Sequence, residues 1–186
     1  MDAPYVHADT DPSVAAELRE AEEPLAESTV WVFPSLGLGG GSARLGPIVA
    51  AASFDGHAFI TPHVSIGIRG GVLRAGAPDG NGDATRAVIG MVGYRWTLST
   101  GTAHEGFALR MTYLHLAAGA GWMGLKGYTQ RGTNRKDYDE SAVVLDARGA
   151  VVWTFGAFLT AIGIDVLGVP GQGFAVVPNI GVGIGF

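Results

Sequence analysis

Towards the C-terminus, bulky apolar residues occupy every second position. Val176, Pro178, Ile180, Val182, Ile184 and Phe186 alternate with Ala175, Val177, Asn179, Gly181, Gly183 and Gly185. A period of two sends the first set to one face of a β-strand and the second, smaller set to the other. From Ser28 onward, similar apolar stretches are separated by glycine-rich turns. They predict eight strands, at about residues 29–39, 44–54, 58–69, 85–98, 106–121, 137–145, 150–166 and 174–186, with ten as the alternative count. Alternation is clear in the first, where Val30, Val32, Pro34, Leu36 and Leu38 oppose Trp31, Phe33, Ser35, Gly37 and Gly39. In the third, Ala58, Ile60, Pro62, Val64, Ile66 and Ile68 oppose Phe59, Thr61, His63, Ser65, Gly67 and Arg69. The second, fourth, fifth and seventh strands do not sort by polarity.

The connections have a rhythm. Asp55 and Gly56 form a tight-turn pair, and residues 99–105 and 146–149 are short links. Residues 40–43, 70–84, 122–136 and 168–173 are richer or longer connections. With both termini at one end, tight turns fall on that end and longer loops on the other, as in barrels that cross a membrane.

Residues 1–27 read as a separate element. Asp11 and Pro12 suit an N-cap and first helical turn. Val14, Leu18, Ala21 and Leu25 recur at helical spacing, so residues 12–23 are predicted to form a short acidic helix. The division is therefore 1–27 and 28–186, the second part holding the barrel.

Composition moves the β pattern from water towards lipid. The chain of 186 residues is 47% hydrophobic and 16% charged, with 30 glycines and no cysteine, against roughly a quarter charged in soluble domains. The absence of cysteine excludes disulfides, a thiol nucleophile and thiolate metal sites. The first 27 residues hold eight of the 17 acidic residues and one of the 12 basic ones, so the net charge of −5 belongs to that segment. No basic stripe suggests nucleic acid.

A helical membrane protein fits poorly. The uncharged runs at residues 149–164 and 111–125 are 16 and 15 residues long, below the ~20 that a spanning helix needs. Both contain glycine, and Val151, Val152, Thr154, Thr160, Ile162 and Ile164 favour strands. About 9–11 residues suffice for a spanning strand. Backbone pairing inside a bilayer requires such strands to close. Trp31, Phe33, Tyr94, Trp96, Trp122, Tyr128, Trp153, Phe174 and Phe186 lie near predicted strand ends, as an interfacial girdle would.

The strand closing on Ile180, Val182, Ile184 and Phe186 resembles the C-terminal insertion signal of bacterial outer-membrane barrels. Over residues 28–186 the chain resembles the small, eight-stranded surface-protein type. The resemblance implies an all-β, closed, antiparallel, up-and-down transmembrane barrel in the outer membrane, with its leader removed. It implies the lipid bilayer as partner, and any protein partner is expected through the N-terminal segment or the long loops.

An eight-stranded barrel is just wide enough to be filled by side chains. His63, Ser65, Arg69, Arg95 and Arg110 are the predicted polar lumen residues, with Asp165 and Glu105 as partners. Internal ion pairing is the expected use, and an open pore is not expected. His63 and Ser65 also resemble the His-x-Ser pair of lipid A deacylating barrels, with Ile66 where an asparagine is usual. An enzyme of that kind, and a soluble lipocalin-like barrel, are the alternatives. His57 and His115 read as structural, and the five histidines show no metal spacing with carboxylates. The glycines of residues 37–41 lack the lysine and hydroxyl of a phosphate loop and read as a hairpin loop. Asp79, Asn81 and Asp83 alternate like a calcium loop, but Gly90 stands where its last glutamate belongs. No cofactor is expected. The expectation is an outer-membrane barrel with a structural, anchoring or interaction role.

Overall fold

Eight antiparallel strands follow one another around a closed barrel. They are β1 (Val30–Gly41), β2 (Ile48–Phe59), β3 (Val64–Gly76), β4 (Asp83–Thr100), β5 (Met111–Arg131), β6 (Asn134–Phe155), β7 (Phe158–Val169) and β8 (Gly173–Gly185). The computed structural model describes residues 28–42, 45, 47–76, 83–100, 111–131 and 134–186. The predicted helix at 12–23, Glu105, Arg110 and the loop residues Asp79 and Asn81 lie outside them.

β8 closes on β1, where Leu36 faces Ile180 and Gly41 faces Ala175. The glycines at residues 37–41 are therefore part of β1, not a hairpin loop. A Cβ on Gly39 would stand 1.9 Å from the Val176 carbonyl oxygen, so only glycine permits this approach of β1 to β8. Phe186 ties the end of the chain into the same seam. Its N–H donates to the Val30 carbonyl at 3.0 Å, and its own carbonyl accepts from the Val30 N–H at 2.8 Å.

Two predicted turns are strand interior. Asp55 and Gly56 pair with Arg69 and Ile68 in the β2–β3 ladder. The turn falls instead at residues 60–63, where the Thr61 hydroxyl oxygen accepts from the Val64 N–H at 2.9 Å. Residues 146–149 lie inside β6. The β6–β7 hairpin is made two-residue tight at Gly156, whose φ is +66°, a conformation glycine adopts without a side-chain clash. The predicted loop at 122–136 is largely strand, since β5 and β6 pair out to Arg131 opposite Asn134.

β5 and β6 outrun their neighbours. β4 pairs with β5 no further than Gly124, and β7 pairs with β6 no further than Leu145. Beyond these points the two strands form a projecting hairpin arm. Lys126 and Asp139 face each other there as an exposed ion pair at 2.8 Å.

The outer surface carries a continuous apolar belt. It includes Leu36, Phe54, Ile66, Val92, Trp122, Ile162, Ile180 and Val182, and Trp122 is 71% exposed. Tyr94, Trp96, Phe158 and Phe186 face outward towards the end holding the termini. Trp31 and Phe33 do not join them: both point into the barrel and are fully buried, Trp31 at 0% exposure. A lipocalin-like arrangement would put apolar residues inside and polar ones outside; here the outer belt is apolar, and Asp55, Arg69, Asp146, Arg148 and Asp165 are buried inside.

Candidate functional site

The interior is layered. An apolar cluster fills the loop end, including Leu45, Val49, Ile89, Met123, Val144 and Val177. A second cluster fills the end with the termini, around Trp31, Phe33, Tyr113, Val152 and Leu159. Charged and polar side chains occupy the space between.

The central charges arise from two cross-strand pairs. Asp55 stands opposite Arg69 on β2 and β3, and Arg148 opposite Asp165 on β6 and β7. Period two sends all four inward. Arg69 donates through Nε to Asp55 and through Nη1 to Asp146 Oδ2 at 2.6 Å. Its Nη1 is also 3.1 Å from Asp165 Oδ1. Arg148 Nη1 donates back across the lumen to Asp55 Oδ2 at 2.6 Å. Ser53 Oγ adds a donor to Asp55 at 3.4 Å, and Arg148 Nη2 donates to Asn179 Oδ1 at 3.4 Å. The Arg148 guanidinium carbon is 4.9 Å from the Phe33 ring centre. Five ionic groups from β2, β3, β6 and β7 thus form one buried network. Low local dielectric strengthens such bonds and makes the loss of any one partner costly.

Next to this network lies a small histidine cluster. Ser65 Oγ is 3.4 Å from His57 Nδ1 and 3.4 Å from His115 Nε2. The two rings meet edge-to-face at 4.7 Å. Nearer the termini, Arg95 is caged by aromatics, its guanidinium 3.8 Å from the Phe59 ring centre and 5.1 Å from that of Trp31. Its Nε donates to the Pro62 carbonyl at 2.6 Å and Nη1 to the Ser28 carbonyl at 3.0 Å. This arginine caps the end of the barrel that holds the termini.

Of the predicted lumen residues, Ser65, Arg69 and Arg95 point inward and are buried. His63 is placed elsewhere. β3 begins only at Val64, so the alternation does not reach back to residue 63, which sits exposed in the turn. The His63 ring stacks on Tyr94 at 5.6 Å, outside the barrel, and its Nδ1 is 3.2 Å from the Arg95 carbonyl oxygen. Arg110 lies outside the described residues. Ile180, Val182, Ile184 and Phe186 all face outward.

This placement removes the geometry of a His-x-Ser catalytic pair. Ser65 is 0% exposed and meets His57 and His115 instead. A nucleophile needs a substrate within reach as well as a base. The void in the neighbouring ion-paired layer, beside Arg69 and Asp165 and not lined by Ser65, measures about 20 Å³, room for about one water. Among the described residues no histidine or carboxylate cluster suits a metal ion.

Asp55, Asp146 and Arg148 are absent from the lumen residues expected from the sequence, because all three stand in apparent turns, at 55–56 and 146–149. A signal was present. Asp146 and Arg148 are two residues apart within an otherwise apolar run, hence on one strand face, and Asp165 interrupts another.

The sequence matches no protein-family profile and no curated protein. Solved structures do match. Neisserial surface protein A is similar over 87% of this chain and 99% of its own, with a TM-score of 0.58 and 10% identity. The fold is that of the small outer-membrane barrels. The attachment invasion locus protein Ail of Yersinia pestis is similar over 87% of this chain and 100% of its own, at TM-score 0.53 and 11% identity. The N-terminal β-barrel domain of Pseudomonas aeruginosa OprF is similar over the same shares, at 0.51 and 14%.

Proposed function

We propose that this protein is a bilayer-embedded outer-membrane barrel whose interior is a fixed, ion-paired plug and whose role is anchoring or interaction, not conduction or catalysis. The observation that carries this is the pair of arginine bridges, Arg69 to Asp146 and Arg148 to Asp55, which tie opposite walls together. Apolar clusters pack the lumen on either side of them, which argues against a continuous water path. The outward belt supports burial in lipid. The outward positions of Ile180, Val182, Ile184 and Phe186 fit their use as an insertion signal.

The β5–β6 arm is the favoured contact surface. It continues as a two-stranded ladder past both neighbours, so among the described residues neither strand has a further pairing partner there, which leaves its edges available to a partner. Two of the similar folds are named as a surface protein and an attachment protein, which agrees with an interaction role.

Cell fractionation tests the proposal. The protein expressed with a secretory leader is expected in the outer-membrane fraction, to need detergent for extraction, and to shift in gel mobility on boiling. Recovery in a detergent-free soluble fraction would reject it.

A further inference from the structure

The apolar belt is interrupted by an open groove of about 760 Å³ across the outward faces of β8, β1, β2, β3 and β4. That volume lies within the range of ligand pockets, roughly 300–1,000 Å³. Ile180, Val182, Leu36, Phe54, Val72 and Val88 form its walls. Its depth comes from small outward residues, Ala52 and Gly70. A Cβ added to Gly70 would meet nothing within 4 Å.

One edge of this groove is charged. Arg86 lines it and stands opposite Val72, while Arg74 stands opposite Ala84 on the same two strands. The arginines are thus diagonal neighbours on the outer face, about 7–8 Å apart at their Cα atoms. Both are exposed, and neither has an ion-pair partner among the described residues. On its other side Arg86 stands opposite Gly124, one outward step below the Lys126–Asp139 pair of the arm. The two cations therefore mark the level where the belt gives way to polar surface. A bare arginine on the lipid face destabilises a barrel, by less near the interface than at the midplane. Two exposed ones, without an ion-pair partner among the described residues, at the rim of an apolar groove suit an anion whose remaining part is apolar.

We propose that this groove is a binding site for a phosphate-bearing acyl lipid of the bilayer. Its phosphate would bridge Arg74 and Arg86, and an acyl chain would lie along Val88, Val72, Phe54, Leu36 and Ile180 over Gly70. Guanidinium groups suit phosphate oxygens because they donate in a planar fork. The proposal rests on the reading of the chain as bilayer-embedded.

The test uses the folded full chain in nanodiscs made of equal parts phosphatidylglycerol and phosphatidylcholine, with retained lipids counted by native mass spectrometry after release. The boiled-versus-unboiled gel shift reports the barrel separately, so a chain without that shift fails the bilayer reading itself. In a chain that shows the shift, phosphatidylglycerol should be retained over phosphatidylcholine. Arg74→Gln and Arg86→Gln should each weaken that preference about fivefold. Gly70→Leu, which fills the groove with no backbone conflict, should reduce retention of both lipids while preserving the shift. Equal retention of the two lipids by the natural chain would overturn the proposal. So would an unchanged preference in the arginine variants, or displacement of the lipid by inorganic phosphate alone.

Discussion

Arg148 on β6 donates to Asp55 on β2 at 2.6 Å across the full width of the barrel, although their strands are not neighbours. Strand pairing alone would hold each residue to the adjacent wall. This bond joins opposite walls, and both side chains are completely buried.

Breaking it should be costly. Asp55→Ala leaves the Arg69 and Arg148 guanidiniums short of their shared acceptor, and loss of one partner from a buried pair costs about 3–5 kcal/mol. Replacing both residues, as Asp55→Leu with Arg148→Met, should cost clearly less than the sum of the single changes, because neither charge is then stranded. Urea unfolding in detergent micelles, followed by the gel shift, measures all three.

The cap at the end holding the termini should depend on shape as well as charge. Arg95 lies over Phe59 and donates to two backbone carbonyls. Arg95→Ala should destabilise by about 2 kcal/mol or more, since a desolvated cation–π contact is lost together with hydrogen bonds. Arg95→Lys should recover only part of that, because lysine lacks the planar fork. Urea midpoints of the three proteins give the comparison.

These two groups show how far the sequence could be read. The terminal strand was legible because its two faces differ so strongly, Ile180 and Val182 against Gly181 and Gly183. β2, β4, β5 and β7 were not, because a narrow barrel is packed inside like a core. In β5, Tyr113, Ala117 and Met123 face inward while Leu116, Ala118 and Trp122 face outward. Hydrophobicity cannot tell these faces apart. Asp55 next to Gly56 has the local chemistry of a turn, but its partners Arg69 and Arg148 and the ladders on both sides hold it inside a strand. Local preference lost there to a long-range ion pair. The count of eight strands is unaffected, because a turn at 60–63 stands in for the one expected at 55–56, and a turn at 156–157 for the one expected at 146–149.

The outward face should reject charge. Val92 lies in the belt and is 61% exposed. Val92→Arg is expected to cost about 2–4 kcal/mol if that face meets hydrocarbon near the bilayer midplane. On a water-facing surface the same change would be nearly neutral. Refolding into phosphatidylcholine vesicles at graded urea concentrations distinguishes the two.

The terminal aromatic should act in delivery more than in stability. Phe186 joins β1 through its backbone, and its side chain is 66% exposed. Phe186→Ala keeps the backbone bonds. It is expected to lower the amount of barrel inserted in cells while leaving refolding from urea into detergent nearly unchanged. Quantifying both forms by gel shift checks this.

The central claim is that the lumen is closed by its own ion pairs. Single-channel recording in planar bilayers tests it most directly, using protein whose gel shift shows a folded barrel. The natural chain should insert without a steady open conductance. A stable, ohmic conductance carried by the natural chain would contradict the account.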